Sequence, residues 1–363
     1  MQRRHFLQLS SIAASAGSFG SVFAAIPAAA ANWRQFEVTT FVDLSEKTAQ
    51  SKVWIPVPAA ELPGYQRTLD VSFSAPGATK AELFAVPGTD VRLIAVQWAD
   101  ADSAHMVEVK SRIAVLDRAT NLGAVGTARK LPAAQLRPYL QPTSLAPLDG
   151  IVKETADKIQ AEAGKPQDAI GKARAIYDWM VANCTRDGSV AGCGTGDVRY
   201  TLTSGNLSGK CADLNGLFTA LSRASGVPAR DVYGVRVDDS VHGFKSLGKS
   251  GDISKAQHCR AEFYADGYGW IPVDPADVAK VALEEQPGGL PKDAPKVRAA
   301  RAMLFGGWEG NWMAYNTAAD VRLPGAGQTV GFFMYPQGET AQGRLDSLDP
   351  AHFTYRITSA KLA

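Results

Sequence analysis

The sequence describes an α+β protein, and three observations carry that reading. Between Trp33 and about Leu122, apolar and polar residues alternate in short runs cut by Pro and Gly, which is the punctuation of strands. From Ile151 to Cys184 the spacing becomes that of two helices, and a third helical stripe follows Cys211. Strand patterns then return at DVYGVRV, AEFYA and GWIPVD. Strands and helices that occupy separate stretches, rather than alternating one by one, give an α+β architecture with an N-terminal domain of β-sandwich type.

The 363 residues are enough for two or three domains, and 45% of them are hydrophobic, so a sizeable core can form. Thirty-eight basic and 36 acidic residues leave a formal charge of +2, with no Lys/Arg cluster interleaved with aromatics. That balance argues against a nucleic-acid partner.

Residues 1–31 form a separate segment. Arg3 and Arg4 precede Phe6 and Leu7, an apolar Ala/Ser-rich run follows, and small residues near Ala28 to Ala31 suit cleavage. The paired arginines resemble a twin-arginine export signal, which implies a folded protein delivered to the periplasm. The run is broken by Ser, Gly and Pro and is too short to stay as a membrane span; no later stretch is apolar enough to cross a bilayer.

The segments FEVTTFVDL, SKVWIPV, AELFAV and MVEVKSRIAV place a β domain over residues 32–140. After the Pro-bearing connection LRPYLQPTSLAPLDG, IVKETADKIQAEAG and AIGKARAIYDWMVANC read as core helices, with Ala173, Ile176, Tyr177 and Met180 on one face. A second domain therefore covers residues 141–285. Residues 286–363 begin with a Pro/Gly/Lys-rich linker and read as an extension packing on that core, its aromatics Trp308, Trp312 and Tyr315 with Asn311 either filling the core or walling a cleft.

Export permits disulfides. Cys184 and Cys193 flank the loop TRDGSVAG and are the natural pair; two buried free thiols are the alternative.

Chemistry gathers around Cys211. Leu214, Leu217, Phe218, Leu221 and Ala224 form a helical stripe ending at Gly226 and Pro228, so Cys211 lies in the first turn, with Ser208 or Gly209 near the N-cap. Free backbone N–H groups and the positive end of the helix dipole favour a thiolate there. An ordinary thiol is only about 3% ionised at pH 7, so such a shift matters.

A nucleophilic thiol needs a base. In HCRAEFYADGYGWIPVDP, period 2 puts Cys259, Ala261, Phe263 and Ala265 on an apolar, buried face, and His258, Arg260, Glu262 and Tyr264 on the other, toward a cleft. If Ala265, Asp266 and Gly267 form the loop, Tyr264 faces Tyr268 and His258 faces Asp274; a two-residue Asp-Gly turn would instead oppose Pro275. The residues then read as nucleophile Cys211, base His258 and orienting carboxylate Asp274.

The segments GKCADLNGLFTALSRASGVPAR and HCRAEFYADGYGWIPVDPADV resemble the transglutaminase-like superfamily of bacterial cysteine hydrolases and acyltransferases. The resemblance covers roughly residues 170 to 278. It implies a papain-like transglutaminase core, a Cys211–His258–Asp274 triad and a thioester intermediate on a peptide or protein amide substrate, without a cofactor. Many members carry an aromatic two residues after the histidine; Arg260 stands there and implies a more polar cleft. Asn206 and the Cys211 N–H are the candidate oxyanion donors.

Other uses of these residues are weaker. Cys211, His258 and Cys259 lack the spacing of a zinc site, and no CxxC or HExxH motif occurs. His242 falls in a Gly/Ser/Lys-rich loop next to the His258 strand, while His105 and His352 read as structural or exposed. Arg260 and Glu262 read as a structural ion pair. The competing function is a non-catalytic periplasmic binding or scaffold protein with a relic triad.

Overall fold

In the strand Arg34–Asp43, Phe36, Val38, Thr40 and Val42 turn inward and the residues between them stay accessible, as period 2 requires. The computed structural model describes residues 33–44, 48–101 and 104–362; the signal read over residues 1–31 lies outside them. Arg34–Asp43 is central to a six-stranded sheet in the order Gly251–Asp252, Thr354–Lys361, Arg34–Asp43, Met106–Val115, Gln66–Ser74, Glu61–Leu62. A five-stranded sheet runs Gly343–Leu345, Gln337–Thr340, Lys52–Pro56, Arg92–Gln97, Lys80–Ala85. Val42, Val107 and Val109 of the first meet Val53, Ile55, Ile94 and Val96 of the second in one core cluster, which makes the β-sandwich.

Both sheets contain strands from the end of the chain. Residues 286–363, read as an extension packing on the core, also complete the sandwich: Thr354–Lys361 pairs antiparallel with Arg34–Asp43, and Gln337–Thr340 with Lys52–Pro56. The described residues from Trp33 on accordingly cluster as one compact unit.

A second mixed region carries the site. Four antiparallel strands run Gly269–Val273, Gln257–Ala265, Ala229–Arg236, Trp312–Asn316. Against them packs the helix Cys211–Ala224, surrounded by Ile151–Glu162, Ala169–Asn183 and Pro275–Glu284. The Cys211 helix is more deeply set than its apolar stripe suggests: every residue from Cys211 to Arg223 is buried. Its neighbour Ala169–Asn183 buries Ala173, Ile176, Tyr177 and Met180, the face read from the sequence.

Among the described residues, no helix is long and apolar enough to cross a membrane. All four cysteines are buried and free; the Cys184–Cys193 disulfide is not formed. Cys184 ends its helix, while the Cys193 thiol donates to the Gln257 carbonyl at 3.2 Å, so the two sulfurs are committed to different surroundings.

Candidate active site

The Cys211 helix begins at the cysteine itself. Lys210, not Ser208 or Gly209, is the N-cap, because Ser208 and Gly209 are held in a short parallel pairing with Thr185 and Arg186. Asp213 fastens this turn: its carboxylate accepts from the Lys210 N–H and the Gly196 N–H, both at 2.9 Å. Two glycines before the helix make room for that carboxylate. A Cβ on Gly194 would fall 1.9 Å from Asp213 Oδ2, and one on Gly209 2.6 Å from Asp213 Cβ. As the first helical residue, Cys211 has no intrahelical acceptor for its N–H, which leaves that donor for an oxyanion. The other candidate, Asn206, is exposed, and its Oδ1 accepts from the Ser208 N–H at 3.1 Å.

The hairpin register differs from the expected one. Ala265 faces Gly269 and Tyr264 faces Trp270 rather than Tyr268, so the loop is Asp266, Gly267 and Tyr268. By that register His258 has no ladder partner on the second strand, whose pairing stops at Ala261–Val273. The contact forms by another route. Asp274 leaves the strand to cap the helix Pro275–Glu284, accepting from the Asp277 N–H at 3.0 Å, and this turn brings its Oδ2 to 2.7 Å from His258 Nε2. Nε2 therefore faces Asp274 and Nδ1 is left for another partner, with His258 among the neighbours that lower the Cys211 thiol. Across the sheet His258 opposes Gly234, where a Cβ would lie 2.2 Å from the Met313 carbonyl oxygen.

Both faces of the His258 strand are buried, contrary to the expected one-sided pattern. Cys259 is fully buried, yet it approaches Cys211 rather than serving as remote filler. Arg260 does not line the cleft. Its guanidinium lies 5.3 Å from the Trp308 ring centre and 4.7 Å from that of Trp312, and its Nε is 3.8 Å from Asp274. Glu262 pairs with Arg118 and Arg230, not with Arg260. Trp308, Asn311, Trp312 and Tyr315 are core residues, and the Trp312 indole donates to the His258 carbonyl at 3.0 Å.

Three supporting residues escaped the sequence reading. Asn215, one turn after Cys211, donates to Asp274 Oδ1 at 3.0 Å and to the Cys259 carbonyl at 2.8 Å. Asp277 sets Oδ2 3.4 Å from His258 Nε2 and Oδ1 2.6 Å from buried Arg236. The spacings could have exposed two of them: Cys211 and Asn215 are i and i+4 on a helix, and Asp-Pro-Ala-Asp is a helix start with a second acid three residues on. Arg236 had no such signal.

These neighbours set the charges. Burial alone would depress the His258 imidazolium; the Asp277 carboxylate, with Asp274, outweighs burial and the opposing Arg236 charge and lifts it to about 10. The neighbouring Cys193 and Cys259 side chains, then His258, hold the Cys211 thiol well below its ordinary value despite burial. A thiolate–imidazolium pair is the resting state these shifts favour. His258, Asp274 and Asp277 also converge within 4.8 Å, close enough to hold a metal ion. Asp274 is already satisfied by His258, Asn215 and the Asp277 N–H, and Arg236 and Arg260 supply positive charge, so the set fits an imidazolium better than a metal ion.

The remaining histidines stand elsewhere. His242 Nε2 is 2.7 Å from Asp117 on an exposed loop, His105 is buried against Trp98, and His352 Nδ1 is 2.7 Å from Asp349. A cleft of about 460 Å³ opens onto Cys211 and His258. A cavity of about 500 Å³ lined by Ala212, Gly216, Arg223 and Asp231 holds no thiol and no imidazole.

Residues 153–275 match the family described as the transglutaminase-like superfamily, a span that includes Cys211, His258 and Asp274. An uncharacterized protein of Haemophilus influenzae is 43% identical over 241 residues, 63% of this chain and 64% of that protein. The alignment thus spans just under two thirds of that relative. Among solved structures, a candidate cysteine protease from Cytophaga hutchinsonii superposes with a TM-score of 0.55 at 17% identity, covering 92% of each chain, and so shares the fold. The periplasmic domain of TgpA from Pseudomonas aeruginosa, bound to ethylmercury, aligns with a TM-score of 0.35 at 17% identity over 70% of this chain and 93% of that one.

Proposed function

Starting from a chain whose residues 153–275 form a transglutaminase-like domain, we propose that the protein is a thiol-dependent hydrolase or acyltransferase acting on peptide or side-chain amides. The observation that supports this most is the 2.7 Å contact of His258 with the Asp274 carboxylate in a cleft that Cys211, at the head of its helix, also lines.

In this reading the Cys211 thiolate attacks the amide carbonyl carbon; a C–S bond forms and the carbonyl electron pair moves to oxygen, which the Cys211 N–H receives. As the C–N bond breaks, His258 gives its Nδ1 proton to the departing amine, leaving a thioester and a neutral imidazole. Water or a second amine then loses a proton to His258 as it attacks the thioester, and the thiolate returns. Asp274 holds the ring throughout. Because the imidazolium is already formed at rest, His258 enters as an acid rather than first withdrawing the thiol proton. Export by the residue 1–31 signal would place this chemistry in the periplasm.

Mass spectrometry of acid-quenched protein after exposure to periplasmic extract tests the assignment. An acyl adduct on the Cys211 peptide, missing in Cys211→Ala, is the expected result. A protein that never acylates there, with every cellular phenotype intact in Cys211→Ala, would instead favour a scaffold with a relic triad. Hydrolysis and transfer separate by whether the released acyl group carries oxygen from labelled water or an added amine.

A further inference from the structure

The cleft over Cys211 has a charge that the whole chain does not. Six cationic side chains line it, Arg186, Lys210, Arg236, Lys249, Lys255 and Lys280, against one lining carboxylate, Asp252. Some of that charge is already spoken for: Arg236 pairs with Asp277, Arg186 with Glu284, and Lys280 lies 3.8 Å from Glu284. Asp252 turns to the Ser254 N–H and hydroxyl, at 3.0 and 2.6 Å. Lys210, Lys249 and Lys255 have no carboxylate within ion-pair distance among the described residues, and Lys249 and Lys255 are exposed at the cleft. Burial, then the Arg236 charge, pushes the Lys280 ammonium down to about 8.

A separate observation concerns a donor. Gln257, the residue before His258, is 8% exposed and lines the same cleft, and its Nε2 makes no hydrogen bond. The Tyr355 hydroxyl is beside it without suitable geometry. A buried amide donor left unsatisfied costs free energy unless an acceptor arrives. Lysines attract an anion at long range; a fixed N–H gives it a direction.

We propose that this cleft selects a peptide carrying a carboxylate next to the amide presented to Cys211, with the carboxylate received by Lys210, Lys249 and Lys255 and by Gln257 Nε2. The proposal rests on Cys211 being the reacting thiol and names the substrate class for it. The carboxylate belongs to an acidic side chain or to a free C-terminus; the recognising chemistry is the same.

The test uses the full chain and two alkylators, anionic iodoacetate and neutral iodoacetamide, with labelling of the Cys211 peptide read by mass spectrometry. The ratio of the two rates should fall about tenfold in Lys249→Glu/Lys255→Glu, whose side chains take no part in the chemistry. Short peptides then compete: one with an internal Glu and amidated end, one with Gln and a free carboxylate, and one with Gln and an amide. Either acidic peptide should slow iodoacetamide labelling at least about tenfold better than the neutral one, and which of them does so identifies the source of the carboxylate. Added salt should weaken that protection, and Gln257→Leu should reduce it. An unchanged rate ratio, equal protection by the neutral peptide, or protection by inorganic phosphate alone would overturn the proposal. Slow labelling of Cys211 by both reagents would instead count against the enzymatic reading, and the rate ratio and salt dependence would still decide the selectivity.

Discussion

His258 faces two carboxylates, Asp274 and Asp277, so its charge depends on which neighbour is removed. Asp277→Asn deletes the largest influence raising the imidazolium, and the ring should then titrate well below about 10, moving toward the ordinary histidine range. The sign follows from charge: a nearby anion stabilises the protonated ring, and its loss releases the proton at lower pH. NMR titration of the His258 ring checks this. Asp274→Asn should act differently, disturbing the ring's orientation as well as its charge, with turnover falling about 10²- to 10⁴-fold, the range for a mispositioned acid–base residue. The helix that begins at Cys211 and the strand that bears His258 were legible from periodicity, whereas the route by which Asp274 reaches the ring was not, because it runs through the cap of Pro275–Glu284 and not through the expected hairpin register. Nor were Arg236 and the depth of Arg260, since each is defined by a partner distant in sequence, Asp277 for one and Trp308 with Trp312 for the other.

At the level of elements, the start of the Cys211 helix is the part most dependent on one side chain. Asp213→Ala removes the acceptor for the Lys210 and Gly196 N–H groups and should cost about 2 kcal/mol, measured by denaturant unfolding. Alkylation of Cys211 should slow in the same variant, because the helix end that favours the thiolate loosens. Gly234→Ala is the second sensitive point: the new methyl meets the Met313 carbonyl oxygen and the Trp312 indole, so the strand must shift against Trp312–Asn316 and disturb its pairing with the strand bearing His258. Loss of stability with a wild-type alkylation rate would contradict that coupling. The helix stripe and the hairpin were readable from local pattern. The hairpin register was misplaced by two because sequence does not say which of Ala265, Asp266, Gly267 and Tyr268 begins the loop, and Gly267 and Gly269 both adopt left-handed backbone.

In the molecule as a whole, the last described strand lies beside the first. Thr354–Lys361 lies beside Arg34–Asp43, while the intervening Trp312–Asn316 joins the sheet that carries His258. Truncation before residue 337 removes strands from both sandwich sheets and bares the long edge of Arg34–Asp43, so the shortened chain should aggregate rather than keep a separately folded catalytic part; a soluble, cooperatively unfolding product would refute that. Pairing between residues about three hundred positions apart leaves no local trace, which explains why the sandwich was legible as a type and its C-terminal members were not. The same folding gathers Arg186, Lys210, Lys249 and Lys255 from separate loops around one thiol, although the chain's overall charge is nearly balanced. The central claim is that this thiol rests as a thiolate paired with His258. Its most direct test is the pH dependence of iodoacetamide labelling at Cys211 in the wild type and in His258→Ala. An inflection well below the ordinary thiol value of ~8.5, shifted upward without the histidine, is the predicted result; an inflection at or above that value, indifferent to His258, would contradict it.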